Sequence, residues 1–374
     1  MLEQGKISGR QAYLLIINVI LATAILFVPA VVSSTAKENG WLAAILATAV
    51  GIVISILIAN LGLRFPDRNL FDYLGDLIGT LPGKIIALLY IWWFLHMTAE
   101  VVRSFGSFLV VAFLTETPIS VFNFSILILA GWTVKQGLEV ICRANEIFLP
   151  LILIGLIVLF LLALPEMDFR WLLPVMEHGV KPIIHGAITP ISWYGQIATM
   201  LMIIPFLKQP QNFRKIQNLA VITIGFFFTM VVLGTVAIFG PELTPRFIFP
   251  TLNAARIINI ANLLERLDPI VMAIWITGAF IKITFFYYVA ALGTAQLLNL
   301  SSYRPVVYPL GIIIGAMSIL IHPSILELEH FIGKIWPVYA ITTFEVGIPV
   351  LLLLIAILRG KGGKSQWSKK SPQS

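Results

Sequence analysis

The chain has 374 residues, 59% of them hydrophobic and 11% charged, with a mean hydropathy of +0.95 and a formal net charge of +7. A soluble core of this size would leave far more charge outside, so the composition is that of a multi-pass membrane protein. The single cysteine, Cys142, excludes an internal disulfide and any multi-cysteine metal or iron–sulfur centre. The Lys and Arg residues fall in short loops and near the C-terminal end rather than along one basic face, which argues for topology signals and lipid-headgroup contacts and against nucleic acid.

At about 20 apolar residues per span, ten spans are expected: 10–33, 40–63, 83–113, 120–136, 142–164, 186–207, 216–239, 266–299, 305–321 and 336–358. The opening segment carries Glu3, Lys6 and Arg10 ahead of a long apolar run with no small-residue cleavage site. It reads as a retained first span, not a removed signal peptide. Pro66-Asp67, Pro82-Gly83, Thr117-Pro118, Pro165, Pro210, Gly240-Pro241 and Arg304-Pro305 punctuate the runs. With an even number of spans, the two terminal segments and the loops after spans two, four, six and eight share a side. They hold 16 of the 25 Lys and Arg residues, the opposite loops hold 7, and Arg103 and Lys282 lie within spans. Both termini are therefore expected in the cytoplasm, with 359–374 as a disordered basic tail. Two longer connections, 165–185 and 241–265, lie on the outer side. In the second, apolar residues alternate with Arg256, Asn259 and Asn262, as for short helices lying over a cavity mouth or resting at the interface.

In the first span, Ala22 to Val28 lead into Pro29, which lacks an amide proton and weakens the preceding turn. The sixth span repeats this character in Pro190, Ser192 and Gly195, followed by Pro205. Either proline alone could simply kink a helix. The matching pair points to an inverted five-plus-five repeat, 1–164 and 186–358 within one domain, with a midplane site where the two interrupted spans meet.

Several short motifs carry a resemblance: Lys6-Ile7-Ser8-Gly9-Arg10-Gln11, Glu38-Asn39-Gly40-Trp41-Leu42, Arg64-Phe65-Pro66 with Tyr73-Leu74-Gly75, Val102-Arg103-Ser104-Phe105 with Thr115-Glu116-Thr117-Pro118, and Gly195 with Pro205. In order and spacing the chain resembles the spore germination permeases of the GerAB type, B subunits of endospore nutrient germinant receptors in the amino acid–polyamine–organocation superfamily. The resemblance implies an all-α integral membrane protein of ten transmembrane helices with a LeuT-like fold. It also implies a small nutrient, usually an amino acid, held among spans one, three, six and eight, and assembly with an A-type membrane subunit and a C-type lipoprotein in the spore inner membrane. The expected pocket is Thr23, Ala24, Ile25 and Leu26 with Ser192, Trp193, Tyr194, Gly195 and Gln196, bounded by Glu100 and Val101, unwound amides holding a carboxylate. Gln196 departs from many relatives, which carry an acidic residue after the glycine. A neutral amide can hydrogen-bond a ligand but cannot pair with its ammonium.

An ionisable side chain inside a span is costly and marks either a pathway or a buried pair. His96, Glu100 and Arg103 share one face of the third span, so Glu100 and Arg103 are expected to pair, with a lining role for Glu100 or His96 as the alternative. Lys282, near Thr277 and Thr284, lies mid-span in the eighth. By analogy with LeuT-like proteins it reads as a built-in cation tethered to free carbonyls of the first span. The alternative is a structural partner for Glu345 or Glu100. Glu345 itself reads as a buried partner for a base or as a proton carrier. Asn18 and Thr23 are expected as interhelical donors, Gly311 and Gly315 as a close-packing pair, and Trp41 and Trp336 as interface anchors. No Gly-rich phosphate loop, zinc-spaced histidine pair or nucleophile elbow occurs, so neither an enzyme nor a bound cofactor is expected. The expected function is sensing of a small nutrient. An amino acid–proton secondary transporter and an empty scaffold are the alternatives.

Overall fold

The computed structural model describes residues 2–3, 5–260, 264–265 and 267–363. The expected basic tail falls outside the described residues from 364 onward, as do 261–263 in the second outer connection and Arg266 at the start of the expected eighth span. The chain is built almost entirely of helices. Helix α1 (Gly9–Ala36) starts at a capping box: Ser8 Oγ accepts from the Gln11 amide at 3.1 Å and Gln11 Oε1 accepts from the Ser8 amide at 2.8 Å. It ends at Lys37, whose φ of 50° takes the chain out of helical geometry, and α2 (Gly40–Gly62) follows. A nine-residue helix, α3 (Leu70–Ile78), opens on a second capping box between Asn69 and Asp72. The sequence reading missed it, because its apolar face is too short to register as a span.

Helices α4 (Thr80–Ala112), α5 (Ile119–Gln136) and α6 (Leu138–Ala163) complete the first half. The second half holds α7 (Lys181–Gly195), α8 (Phe213–Phe239), α9 (Pro250–Ile257), α10 (Asp268–Leu297) and α11 (Arg304–Leu320). It closes with α12 (Ile325–His330), α13 (Trp336–Tyr339) and α14 (Gly347–Leu358), which wide π-turns at Phe331–Ile335 and Ala340–Glu345 join into one apolar run. Among the described residues, seven helical runs are long and apolar enough to cross a membrane, with α1 and α2 counted as one; α11 is apolar but shorter. In the second outer connection, α9 is a short helix of eight residues. It is followed by a two-stranded pairing, β1 (Asn259–Ile260) with β2 (Leu264–Glu265).

Helix α1 is apolar all round and is surrounded by α6, α7, α8 and α10, which is why it forms the axis of the molecule. It corrects one expectation, since it runs through Pro29 as a single α-helix with no interruption. Pro29 removes the donor that the Ile25 carbonyl would have used, and Thr251 Oγ1 from α9 supplies another at 2.7 Å. The sixth run does break. The α-helix ends at Gly195 and continues in 3₁₀ geometry through Gln196–Met202 and Ile204–Phe206. Tight packing is enforced by glycine where expected: side chains at Gly311 and Gly315 would collide with Tyr287 and Phe124.

Candidate functional site

The break after α7 lies beside the middle of α1 and α10, and three side chains converge there. Lys282 of α10 is fully buried. In a bilayer no water reaches such a group, so its donors must be met by protein. Nζ donates to Thr23 Oγ1 of α1 at 2.6 Å and to Gln196 Oε1 at 2.8 Å. The lysine therefore ties α10 to α1, as expected, but through a hydroxyl and not through free carbonyls, because unbroken α1 has none to offer here. Thr23 is accordingly an acceptor in this bond, not the interhelical donor expected. Asn18 does donate across helices, to Asn145 Oδ1 at 2.9 Å.

Glu345 ends the second π-turn. Both of its carboxylate oxygens are buried without a hydrogen bond among the described residues. It presses on Gly195: a Cβ placed there would lie 2.7 Å from Glu345 Cδ. A π-turn is a common device for aiming one side chain out of helical register, and here it aims Glu345 at the break in the sixth run.

Next to this junction is a cavity of about 30 Å³, enough for a water or two. Thr23, Glu100, Ser104 and Gln196 are its polar lining, and Phe27, Trp193, Phe331 and Trp336 its aromatic walls, with Met97, Val101 and Ile332 between them. Glu100 does not pair with Arg103. Its carboxylate sits between two histidines, His322 Nε2 at 2.8 and 3.0 Å and His96 Nε2 at 3.3 Å, while Arg103 Nε has no partner among the described residues. The reason is reach. His322, at the end of α11, comes onto the face of α4 that Glu100 occupies, whereas Arg103 is a turn further along. Tyr339 approaches His96 Nδ1 at 3.5 Å and Phe331 packs on both histidine rings.

The cavity is covered on one side by aromatic and aliphatic side chains. On the His322 side, Phe331, Ile332 and Trp336 cover it, so Trp336 is a buried lid residue at 3% exposure and not the interface anchor expected. Away from this cavity the N-terminal strap is stitched to the end of the sixth run. The Ile7 amide donates to the Phe206 carbonyl at 2.8 Å, that of Lys208 to Ile7 at 2.9 Å, and Lys6 Nζ to the Pro205 carbonyl at 2.6 Å. A larger space of about 530 Å³ lies under this strap, bordered by Lys6, Asp72 and Gln296.

Of the residues expected in a pocket, Thr23, Glu100, Val101, Trp193 and Gln196 line the cavity. Ala24, Ile25 and Leu26 are packed in the core around α1 and do not line it. Ser192 donates within its own helix to the Thr189 carbonyl, and Thr284 does the same to Phe280. Tyr194 turns away to α2, where its hydroxyl meets Thr48 at 2.9 Å and its ring covers Gly51. Gly195 meets Glu345 and not the cavity. Phe27, Met97, Ser104, Phe331 and Ile332 of the lining, and His322 behind Glu100, were missed. Only His322 left a trace in the sequence, as a histidine just before a proline at the end of an apolar run. Among the described residues no group of three or more His, Cys, Asp or Glu is placed to hold a metal ion.

Three solved structures share this fold. They are a Na⁺-coupled sialic acid symporter (TM-score 0.64, 13% identity, 95% of this chain and 84% of that one), MhsT in complex with L-phenylalanine (0.65, 15%, 99% and 94%) and Mhp1, a nucleobase-cation-symport-1 family transporter (0.66, 12%, 96% and 79%). Among curated proteins, the chain is 28% identical to spore germination protein KB of Bacillus subtilis (strain 168), over 96% of this chain and 97% of that protein. It is 27% identical to spore germination protein YndE of the same organism, over 96% and 99%. Residues 6–325 match the family model described as spore germination protein, and on that match the chain belongs to the spore germination protein family, the spore permeases.

Proposed function

We propose that this chain is the membrane subunit of a spore nutrient germinant receptor and binds a small nutrient, an amino acid, in the cavity between α1, α4, the broken sixth run and α13. The observation that carries the reading is the convergence of Lys282, Thr23 and Gln196 at the break in the sixth run, beside a cavity that also receives Glu100. A cavity of about 30 Å³ is too small for an amino acid, so binding requires the Phe331–Trp336 lid to move. A ligand favours the open or the re-closed arrangement only by its difference in affinity for the two, and that difference is the signal passed to partner subunits.

The same reading takes the fold as ten spans in a five-plus-five inverted repeat. The count follows when α1 and α2 are separated at Lys37 and the broken sixth run and α11 are added to the long helices. Both termini then face the cytoplasm, the bilayer is the spore inner membrane, and an A-type membrane subunit and a C-type lipoprotein are the partners. Spores whose sole receptor contains this subunit should germinate with a restricted set of nutrients. Absence of any response across amino acids, sugars and nucleosides, at normal receptor abundance, would overturn the reading.

Amino acid–proton transport is the second reading, favoured by Glu345, a buried carboxylate with no hydrogen bond to hold its charge. Uptake into liposomes that collapses with the proton gradient supports transport; binding without uptake supports the receptor.

A further inference from the structure

Two carbonyls in the lid segment are held by side chains of other helices. The segment consists of the π-turns Phe331–Ile335 and Ala340–Glu345 with α13 between them. Pro337 lies four residues after Gly333 and has no amide hydrogen to offer the Gly333 carbonyl. Thr189 Oγ1 of α7 donates to that carbonyl at 3.1 Å, and the threonine is buried. At the other end, Tyr90 Oη of α4 donates to the Phe344 carbonyl at 2.7 Å, one residue before Glu345 meets Gly195. The segment is therefore fastened to α7 at two points six residues apart, by a hydrogen bond at Thr189 and by packing at Gly195, with the cavity-lining Trp193 between them. The two fastenings are unequal. At Gly195 the contact is backed by the Tyr90 bond and by a fully buried Glu345. At Thr189 the fastening is one neutral hydrogen bond, which shifts an equilibrium by only about two- to tenfold.

We infer that Thr189 is the catch of the lid, a positioning residue that sets how readily Phe331, Ile332 and Trp336 leave the cavity, while the contacts at Tyr90 and Gly195 stay in place as the pivot. The catch is read from the geometry of the segment; its consequence in the spore rests on the proposed binding of a small nutrient. Because the cavity is too small for an amino acid with the lid seated, the occupied state is one in which the lid has left its present place. The nutrient requirement then falls in proportion as the fraction of molecules with a free lid rises. Thr189 does not line the cavity, so it touches no feature by which one nutrient is told from another. It therefore sets the sensitivity of the receptor and not its specificity.

The first test is amide hydrogen exchange of the purified full-length protein in detergent, without nutrient. Thr189→Val removes the donor and keeps the shape, and amides of residues 331–336 should exchange about two- to tenfold faster, with those of α5 unchanged. Thr189→Ser, which keeps the donor, should restore the unsubstituted rate. Equal exchange of 331–336 in the valine variant would overturn the catch. The second test uses spores with this chain as their sole B subunit and the twenty standard L-amino acids. At matched abundance, Thr189→Val should lower the concentration needed for a half-maximal response about two- to tenfold and leave the order of effective amino acids unchanged. A threonine that merely supports the fold would give a weaker response at every concentration. An unchanged or higher requirement, or a new order of amino acids, would overturn the inference. Spores of the unsubstituted receptor that answer no nutrient would remove the binding reading, while exchange at 331–336 still decides the catch. A second route avoids dependence on one variant. Pro337→Ala supplies the missing amide to the Gly333 carbonyl, so Thr189→Val in that background should leave exchange at 331–336 within about twofold of Pro337→Ala alone. The full effect of Thr189→Val persisting there would show that the bond does not compensate for the proline.

Discussion

Thr251 donates its hydroxyl to the Ile25 carbonyl across 2.7 Å, and Ile25 lies four residues before Pro29. The carbonyl deprived of its helical donor by the proline ring is therefore satisfied from α9, a helix more than two hundred residues away in sequence. That bond meets the carbonyl left over where α1 runs on through a proline that predicts a break, and it joins the outer connection to the axis of the molecule.

Removing the hydroxyl tests this directly. Thr251→Val keeps the shape and leaves a buried carbonyl unsatisfied, at a cost of about 1–3 kcal/mol. Thermal unfolding in detergent should show the loss, and Thr251→Ser should recover most of it. Equal stability of the valine variant would mean that Pro29 needs no compensation.

Gly195 and Glu345 form a second testable contact. Gly195→Ala drives a methyl group into the Glu345 carboxylate, and overpacking of this kind costs about 1–3 kcal/mol. Combining it with Glu345→Ala should remove most of that penalty, with a coupling of about 0.5–3 kcal/mol in a double-mutant cycle. Strict additivity would show that the two residues do not meet.

The clasp between Glu100 and His322 joins α4 to the end of α11 next to the cavity lid. His322→Ala leaves Glu100 with His96 alone, and a buried charged acceptor that loses a donor costs about 1–3 kcal/mol. Glu100→Gln with His322→Ala should be no worse than Glu100→Gln by itself when abundance and nutrient response are scored together. Arg103→Leu, in contrast, should leave the response of a Glu100-intact receptor unchanged at normal abundance.

At the surface, Lys37 and Glu242 pair at 2.9 Å, both well exposed. The hydrogen bond from Lys37 and its charge hold the Glu242 carboxyl below the usual carboxylate range, and the same bond raises Lys37. Any contribution is therefore lost as pH falls through the depressed Glu242 value, and again as it rises through the raised Lys37 value. Exposed pairs contribute little and are screened by salt, so Lys37→Gln should leave the unfolding temperature unchanged between pH 6 and pH 8 at about 0.15 M salt. A clear drop confined to that window would assign the pair a role in holding the α1–α2 turn.

Much of the architecture was legible because membrane spans announce themselves as apolar runs between prolines and charges, and most of the helices fall close to where those runs lie. Lys282 was legible for the same reason, being a cation with no water within reach. Its partners were not. Whether Thr23 offers a hydroxyl or a free carbonyl depends on Pro29 being compensated by Thr251, a contact that no local pattern encodes. The partner of Glu100 was misread for a related reason. Helical spacing favours Arg103, but the pairing is settled by which distant helix end arrives on the same face, and that is His322. Tyr194 and Trp193 are adjacent and equally aromatic, yet one faces α2 and the other the cavity. The register of a run that changes from α to 3₁₀ geometry one residue later decides which.

The measurement closest to the central claim fills the cavity. Val101→Phe places a ring into the cavity that Thr23, Glu100 and Gln196 line. Spores carrying this subunit as their sole B subunit are exposed to whichever nutrient triggers the unsubstituted receptor. At matched receptor abundance, the account predicts loss of the response or a shift of the nutrient requirement by at least about tenfold. An unchanged dose–response curve in the filled variant would contradict it.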